Sequence, residues 1–480
     1  MKAKKSCPYV KLDTSSSFDK IGMLRNIIKK NNWTETTKDP DIIWKTREIN
    51  EKDITRLNKS KALINRYPNP GQYTNKKEFS LIFQSIQQYF PEDLKFYPEV
   101  YFYPEDKKRL EEVLEKNSES KKKTFILKPS EGSEGIGIQL FQAKYELLKE
   151  SFSINQEFII QKYVKDPLLI DNKKFDIRAY VLILGVNPIE AFISTEGLAR
   201  FCTEEYKAPN RDNMRNVLSH LTNYSLNKVS NKFTSSQDIL SQNNDSKRTL
   251  TSLYKSLEEL GIDSKMIEEE MKKLAAKTII ALEPFITQEY YSVFGNKQSN
   301  KCFHIFGFDI LFDKKCKPWL LEINAFPSLK IDNEKESGIS PVDEFVKTLV
   351  IENAMKIAVL RKHGKKVDSY DNYERILPGE SFVKYEMLKR VGELFTKLQG
   401  LKICGTINQS KFMQIEKLIS GSVSKLERYD YNLIFIKVMK LRKEMNLIMF
   451  IRALEVLAER IFKEDRSRAE KFLNLIDIIH

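Results

Sequence analysis

Apolar positions along the chain follow two periods. Within residues 76–90, Phe79, Ile82, Phe83 and Ile86 recur about every 3.6 residues, which predicts a helix, and a second helix is expected before Asn117. In KKFDIRAYVLIL the order is different: Phe175, Ile177, Ala179 and Val181 alternate with Lys174, Asp176 and Arg178. That alternation predicts a strand with three charges on one face and apolar groups on the other. The first seventy residues hold short β-like runs at 9–12 and 42–44 around a helical stretch at 18–30, and end in the turn-rich NRYPNPGQY. From 124 to 330, β-like runs alternate with helices, and 230–248 reads as a polar loop. The last 130 residues are mostly helical by pattern. Two stripes there, Phe382, Tyr385, Leu388 and Val391, then Leu433, Ile436, Val438 and Leu441, are expected to pack as core. No internal repeat is visible.

The 480 residues suit about three domains of ordinary size. A hydrophobic share of 41% with 30% charged residues excludes wholesale disorder. Eighty Lys and Arg against 66 Asp and Glu leave a net charge of +14, which calls for a polyanionic partner without saying which one. Part of that excess lies in residues 351–480, where 25 basic side chains face 17 acidic ones. Arg361, Lys362, Lys365, Lys366, Lys384, Lys389 and Arg390 crowd its early part, as a solvated face or as a docking surface for an acidic polymer. Five scattered cysteines (Cys7, Cys202, Cys302, Cys316, Cys404) without C-x-x-C spacing suggest neither a disulfide framework nor structural zinc, and fit a reducing compartment. Four histidines are few for a zinc enzyme. No apolar run follows MKAKKSCPYVKLD, and charges break NLIMFIRALEVLAERIF, so neither a signal peptide nor a membrane span is expected.

Three segments carry candidate chemistry. TFILKPSEGSEGIGIQLF leads from an apolar strand to Lys128 and then to Gly132, Gly135 and Gly137. Small residues let backbone amides approach phosphate, although a glycine-rich hairpin with an exposed lysine reads the same way. Neither a Walker loop nor the kinase motifs are matched. The charged row of Lys174, Asp176 and Arg178 is either a solvated strand face or the floor of a cleft. In CFHIFGFDILFDKKCKPWLLEINAFPSL, two β-like runs flank the turn-like DKKCKP, and a symmetric hairpin places Asp309 opposite Glu322 in the register that sets Phe312 opposite Trp319. Asn324 shares the face of Glu322. Two carboxylates and an amide oxygen form a hard, oxygen-only set suited to Mg²⁺ carrying nucleotide phosphates.

These segments, in this order, resemble the tubulin tyrosine ligase-like family. FILKPSEGSEGIGI, IIQKYVKDPLLIDNKKFDIRAYVLIL, EGLARF, SHLTNYSLNK and GFDILFDKKCKPWLLEINAFPSL all match family blocks, between about Leu63 and Leu329. The GSEG loop, DSKRT and INRYPNPG are more similar to the glutamate-adding branch. The resemblance implies an α/β fold: an ATP-grasp catalytic core with a small N-terminal α/β unit and a mainly α-helical, basic C-terminal region. The expected organisation is an N-terminal unit at 1–70, a central ATP-grasp subdomain at 71–165, a C-terminal ATP-grasp subdomain at 166–350 holding the Mg/ATP and amino-acid sites, and a basic helical, microtubule-binding region at 351–480.

By the same resemblance, ATP and Mg²⁺ are the cofactors. Lys128 and Lys174 contact the phosphates, Glu134 lies near the γ-phosphate, Gly135 and Asp176 also bind the nucleotide, and Gln161, Lys162, Tyr163 and Val164 form the hinge that holds adenine through backbone groups and one amide side chain. Thr222 and Asn223 face the nucleotide, and Asp309, Glu322 and Asn324 hold the metal. Arg200, Tyr224, Ser225 and Lys247 receive free L-glutamate, whose two carboxylates need two cations. Arg178 stabilises charge in phosphoryl transfer, with Arg200 and Lys174 as further catalytic groups. The implied function is ATP-dependent polyglutamylation of tubulin tails through an acyl phosphate. A glycylase of the same family or a weakly catalytic microtubule-binding relative is the alternative. The implied protein is a monomer of the cytoplasm and cytoskeleton, at a cilium or basal body, that engages microtubules through their acidic tails and neither nucleic acid nor membrane. Glu134 stands where relatives carry Gln or Arg, and after Ala325 Phe326 replaces the small residue of the N-x-S-P-S-L block.

Overall fold

The computed structural model describes residues 8–17, 21–116, 123–130, 135–142, 157–234, 239, 245–295, 300–333, 338–378, 386–400, 405–419, 426–439, 442–463 and 466–479. Near the amino terminus, β1 (Lys11–Asp13), β2 (Thr34–Glu35), β3 (Ile42–Ile43) and β4 (Leu63–Ile64) form a parallel sheet in the order β2-β1-β3-β4. Helices Gly22–Lys30 and Glu51–Asn58 connect it. The second begins with a reciprocal capping box between Asn50 and Asp53, which satisfies two otherwise orphaned backbone donors.

A second sheet, fully antiparallel, runs in the order β5-β8-β6-β7, where β5 is Val100–Tyr103, β6 Phe125–Pro129, β7 Gln139–Phe141 and β8 Phe158–Lys162. Strand alternation sorts its residues. Phe125 and Leu127 pack with Leu110 and Leu114 of helix Lys107–Glu115, which leaves Ile126 and Lys128 on the opposite face.

The largest sheet has nine strands and is organised about β10 (Lys173–Leu184). Along one edge β10 meets β9 (Leu169–Ile170) and β14 (Phe303–Phe312); along the other it meets first β12 (Leu198–Phe201) and then β11 (Glu190–Ser194), always antiparallel. Beyond these lie β13 (Lys247–Thr249) on β12 and β15 (Pro318–Asn324) on β14. A short β16 (Asp332–Asn333) pairs with β17 (Gly338–Ile339), while β18 (Ser369–Tyr370) and β19 (Tyr373–Leu377) extend the large sheet from β11. The polar stretch at 230–248 therefore ends inside a strand. Two strands from beyond residue 350 also enter this sheet, and helix Pro341–Lys362 runs straight through that position.

Both faces of β10 are covered, but by different partners. Phe175, Ile177, Ala179, Val181 and Ile183 join a core with helix Ser264–Phe294 and the C-terminal helices. Tyr180, Leu182 and Leu184 join a second core with helix Pro341–Lys362 and the first sheet. Lys174, Asp176 and Arg178 share the face of this second set by alternation, so the strand presents charge where helix Pro341–Lys362 begins and apolar groups further along it.

One register expectation needs correction. Asp309 does pair with Glu322, but Phe312 pairs with Pro318 rather than Trp319, because the ladder slips by one residue between Asp309 and Ile310. Leu321 is the extra residue of the resulting bulge. A strict alternation would send Leu321 and Glu322 to opposite faces; the bulge lets both line one cleft.

After residue 385 the described chain is mostly helical, with segments Glu386–Gln399, Arg428–Met439, Leu447–Ile461 and Arg468–Ile479. Leu388 and Val391 are buried as expected, whereas Phe382, Tyr385 and Leu441 lie outside the described residues. The other stripe is corrected in part: Tyr431, Ile434, Phe435 and Met439 face the core and Ile436 is 57% exposed, while Val438 packs half-buried against the core as expected. YNLIFIKVM is apolar almost all round, so spacing alone does not choose a face and tertiary packing does. Part of the basic run is paired, and with separate partners. Arg361 bonds Glu190 (Nε at 3.0 Å), Lys362 bonds Asp41 at 2.8 Å near the first sheet, and Arg390 bonds Asp477 at 3.0 Å among the C-terminal helices; Lys384 lies outside the described residues. Among the described residues no helix is long and apolar enough to cross a membrane.

The burial contrast gives a direct check on the C-terminal packing. Ile434→Ala should destabilise the chain by about 2–5 kcal/mol by opening a cavity, and Ile436→Ala should stay within about 0.5 kcal/mol of wild type. Guanidinium denaturation of the two variants decides it; equal losses would mean that Ile436 is core after all.

Candidate functional site

A cleft of about 660 Å³, counting its open mouth, lies between the face of the second sheet that carries Ile126 and Lys128 and the charged end of β10. Of the residues picked out from the sequence, Lys128, Gln161, Lys162, Tyr163, Val164, Lys174, Asp176, Arg200, Thr222, Asn223, Asp309 and Glu322 line it. Residues from about 128 to 322 thus converge because two sheets face each other. Ile126, Ile138, Leu221, Leu311 and Leu321 complete an apolar part that motif reading did not anticipate, as did Pro98 and His220. For these residues the available signal is alternation: Ile126 and Leu311 each lie two residues from a charged lining residue on the same strand face.

Cross-strand register builds the polar part. Asp176 pairs with Arg200, and Arg200 with Lys247; Arg178 pairs with Asp309, and Asp309 with Glu322. In Asp176–Arg200 and Arg178–Asp309 opposite charges across a ladder attract and bond, whereas Arg200–Lys247 and Asp309–Glu322 set like charges side by side, offset by Asp343 at Lys247 and by the two guanidiniums at Asp309. Arg178 grips Asp309 with two bonds, Nε to Oδ1 at 2.5 Å and Nη2 to Oδ2 at 2.9 Å. Arg200 grips Asp176 in the same way at 2.8 and 2.5 Å, and its Nη2 also reaches Asp309 Oδ2 at 2.9 Å. Burial alone would raise the Asp309 carboxyl, but the guanidiniums of Arg178 and Arg200 outweigh it and hold the group well below the usual carboxylate range. Asp309 is ionised at any physiological pH.

Two lysines face the same space without such support. Lys128 Nζ donates to Gln161 Oε1 at 2.7 Å; Lys174 Nζ donates to the His220 carbonyl at 2.7 Å and to Tyr163 Oη at 3.0 Å. Burial lowers both, and Lys174 falls from 10.5 to about 8. Burial, reinforced by Lys174, also lowers His220 to about 4, so its imidazole is neutral near pH 7. The expected hinge is partly spent on the fold. Lys162 N–H bonds the Glu99 carbonyl at 2.8 Å, Tyr163 N–H bonds the Thr124 carbonyl at 2.9 Å, and the Gln161 amide oxygen holds Lys128.

Arg178, Asn324, Lys247, Tyr224, Ser225 and Gly135 are not part of the cleft lining but stand beside it. Lys247 bonds Asp343 Oδ2 at 2.5 Å and lies 3.9 Å from the centre of the Tyr224 ring; Ser225 follows Tyr224 on the one-turn helix Tyr224–Asn227. Asp343 also takes Lys347 at 2.7 Å, an arrangement invisible to motif reading. Burial would raise Asp343, yet the two ammoniums bring it to about 2. Gly135 has φ +85°, and a Cβ there would sit 2.8 Å from Leu226 Cδ1 and 3.1 Å from Asn223 Cγ, so only glycine brings this loop so near Asn223. Gly132 and Glu134 lie outside the described residues.

The residues expected to hold a cation are Asp309, Glu322 and Asn324. Asn324 Nδ2 is 3.3 Å from Glu322 Oε1 and 3.4 Å from Asp309 Oδ2, so the amide lies against both acids, and turning it over would present its oxygen instead. Among the described residues no group of three His, Cys, Asp or Glu side chains converges. Two acids and an amide do, with both Asp309 oxygens already shared with guanidiniums. The chemistry fits a hard divalent cation.

With this geometry in hand, the comparisons are informative. A model of the tubulin-tyrosine ligase family matches residues 55–364. The chain belongs to the tubulin-tyrosine ligase family. Its fold is accordingly the mixed α/β, ATP-grasp type with a helical C-terminal region. Among curated relatives of the family, tubulin polyglutamylase TTLL11 of Mus musculus is 35% identical over 379 residues, covering 76% of this chain and 51% of that protein. The TTLL11 polyglutamylase of Homo sapiens is 30% identical, covering 98% of this chain and 73% of its own length. Tubulin polyglutamylase ttll-11 of Caenorhabditis elegans is 34% identical, covering 61% and 41%. The chain thus spans about half the length of the mouse relative.

The buried lysines generate a pH test. Lys174 has a lower pKa folded than unfolded, so the unfolded chain binds more protons between pH 8 and 10.5, and burial of the ammonium opposes folding below pH 8, a penalty relieved as pH rises through that window. A lysine resonance titrating near pH 8 should therefore appear in NMR of the Cε-labelled protein and vanish in Lys174→Met. If every lysine titrated above pH 10, this description of the cleft would be wrong.

Proposed function

We propose that the chain is an ATP-dependent ligase that joins free glutamate to glutamate side chains, or to existing glutamate branches, on the acidic tails of tubulin. The observation that carries this reading is the convergence in one cleft of an apolar slot, two buried lysines and an ion-paired acid cluster. The slot of Ile126, Ile138, Leu311 and Leu321 suits a purine. Lys128 and Lys174, uncompensated by a carboxylate bond of their own, suit its phosphates. The polyglutamylase names of the relatives support the choice of substrate class.

In this reading Asp309, Glu322 and Asn324 hold Mg²⁺, which would screen the phosphate oxygens when bound. Lys128 and Lys174 orient the phosphate chain, and Arg178, fixed by its two bonds to Asp309, presents a cation where charge builds. Arg200 spends Nε and Nη2 on the acids and keeps Nη1 for the carboxylate of the incoming amino acid. Lys247 and Lys347 share one aspartate and so retain one uncompensated positive charge for a second carboxylate, which favours glutamate over glycine. The γ-phosphoryl group passes to the acceptor carboxylate and ADP leaves. The amine of glutamate then attacks the acyl phosphate, an amide forms, and inorganic phosphate departs with an oxygen of the acceptor. No protein nucleophile is required, so positioning and charge neutralisation carry the catalysis.

Incubation with ATP, Mg²⁺ and microtubules, with labelled glutamate or glycine in parallel, tests this. Glutamate should be incorporated and glycine at most weakly; faster glycine incorporation would overturn the choice of substrate. Glu322→Gln should lower incorporation at least about 100-fold while leaving the melting temperature near that of wild type, because an amide is neutral and a weaker ligand. Wild-type turnover in that variant would remove Glu322 from the site.

A further inference from the structure

Arg66, in the INRYPNPG segment, is a buried cation that no acid among the described residues neutralises. The residue is 7% exposed. Its Nη1 donates to the neighbouring Asn65 carbonyl at 2.8 Å, its Nε has no partner, and its guanidinium lies 5.0 Å from the centre of the Phe326 ring. Among the described residues no carboxylate pairs with it, and burial lowers it to about 10 with no acid offsetting the effect. An unpaired buried charge is costly, so the chain is expected either to lose it or to supply an anion.

The position is rigidly tied to the catalytic strand. Asn65 is clamped to the backbone of Lys45 by bonds of 2.7 and 3.0 Å. Tyr67 N–H donates to His304 Nδ1 at 3.0 Å, and His304 Nε2 in turn donates to the Ala325 carbonyl at 2.5 Å. One histidine thus links the Arg66 loop to the residue after Asn324. Direction along the strands gives the rest. The segment after the hinge bonds at the Phe312 end of β14, where Leu168 N–H meets the Phe312 carbonyl at 2.8 Å, whereas Gly307 pairs with Asn324 at the other end. Arg66 therefore lies past Asp309 and Glu322 on the side away from Tyr163, next to the cleft and outside its lining. Phe326, 40% exposed, covers it.

We propose that Arg66 binds a carboxylate of the acceptor chain next to the glutamate being modified, reached when Phe326 swings aside. This inference rests on the ligase reading, in which a polyanionic acceptor has to bring one carboxylate to the groups around Asp309 and Glu322. A carboxylate matches the fork of a guanidinium with two parallel bonds, and an acceptor built of successive glutamates brings a neighbouring charge with every residue that enters. Arg66 thus selects for acidic neighbours rather than taking part in bond formation.

Fluorescence anisotropy of a labelled hexaglutamate peptide on the full chain, without nucleotide, tests the proposal. Arg66→Met should weaken binding about tenfold or more. Wild type should lose a similar factor on a peptide whose residues flanking the central glutamate are glutamine, and Arg66→Met should show no further loss on that peptide. Arg66→Lys keeps the charge without the fork; it should bind the glutamate peptide more weakly than wild type and still prefer it to the glutamine peptide. Nucleotide affinity and thermal melting of the same samples report on folding. Unchanged affinity in both variants, equal loss on both peptides, or loss of nucleotide affinity in place of peptide affinity would overturn the proposal. Binding here needs no turnover: a chain that holds the peptide through Arg66 but joins no glutamate would refute the ligase reading alone, and a ligase indifferent to Arg66 would refute this inference alone.

Discussion

A buried carboxylate held between two guanidiniums organises the structure. Asp309 cannot be placed there without Arg178 and Arg200, since an unpaired buried charge costs several kcal/mol, and neither arginine can be placed there without acids to receive it. The three positions are supplied by three strands, β14, β10 and β12, whose register sets each acid opposite a base. Replacing one member by an apolar residue would leave the others uncompensated, so the cluster constrains the backbone of the whole sheet. It also fixes side-chain orientation before any ligand arrives, which is what a reaction that relies on positioning requires.

The rest of the cleft follows from strand alternation and from what covers each face. Helix Pro341–Lys362 covers the apolar half of one face of β10 and stops where the charges begin, and its first turns bring Asp343 and Lys347 against Lys247. The second sheet turns Phe125 and Leu127 away to its own helix and offers Ile126 and Lys128 to the cleft. Cations in the molecule consequently fall into two kinds. Arg178 and Arg200 are neutralised by acids and held in place by them, and Lys247 shares Asp343 with Lys347. Lys128 and Lys174 are buried and, among the described residues, bond only neutral acceptors, which suits them to an anion.

Much of this was legible in the sequence because short-range rules suffice for it. Alternation in KKFDIRAYVLIL correctly put Lys174, Asp176 and Arg178 on one face, and the hairpin about DKKCKP correctly put Asp309 beside Glu322. The bulge at Leu321 was not legible, since the symmetric register gave the same central pair by a different path and no glycine or proline marks the slip. The bonds from Arg200 to Asp176 and Asp309 depend on which edge of β10 receives β12, a long-range choice that no local pattern encodes. The exposed Ile436 shows the same limit on the helical side: where a helix is apolar all round, only its neighbours decide what is inside. The counter-ion Asp343 lies 96 positions from Lys247, in a segment that carries none of the motifs.

The central claim is that the acid and cation rows exist to transfer phosphate to a carboxylate and then displace it with an amine. That chemistry leaves an isotopic record. With an acceptor peptide whose glutamate carboxylates carry ¹⁸O, unlabelled ATP and free glutamate, mass spectrometry of the released phosphate should find one ¹⁸O for each amide bond formed. Amide formation accompanied by phosphate free of ¹⁸O would contradict activation of the acceptor carboxylate, and with it the account of what Asp309, Arg178 and Lys174 are arranged to do.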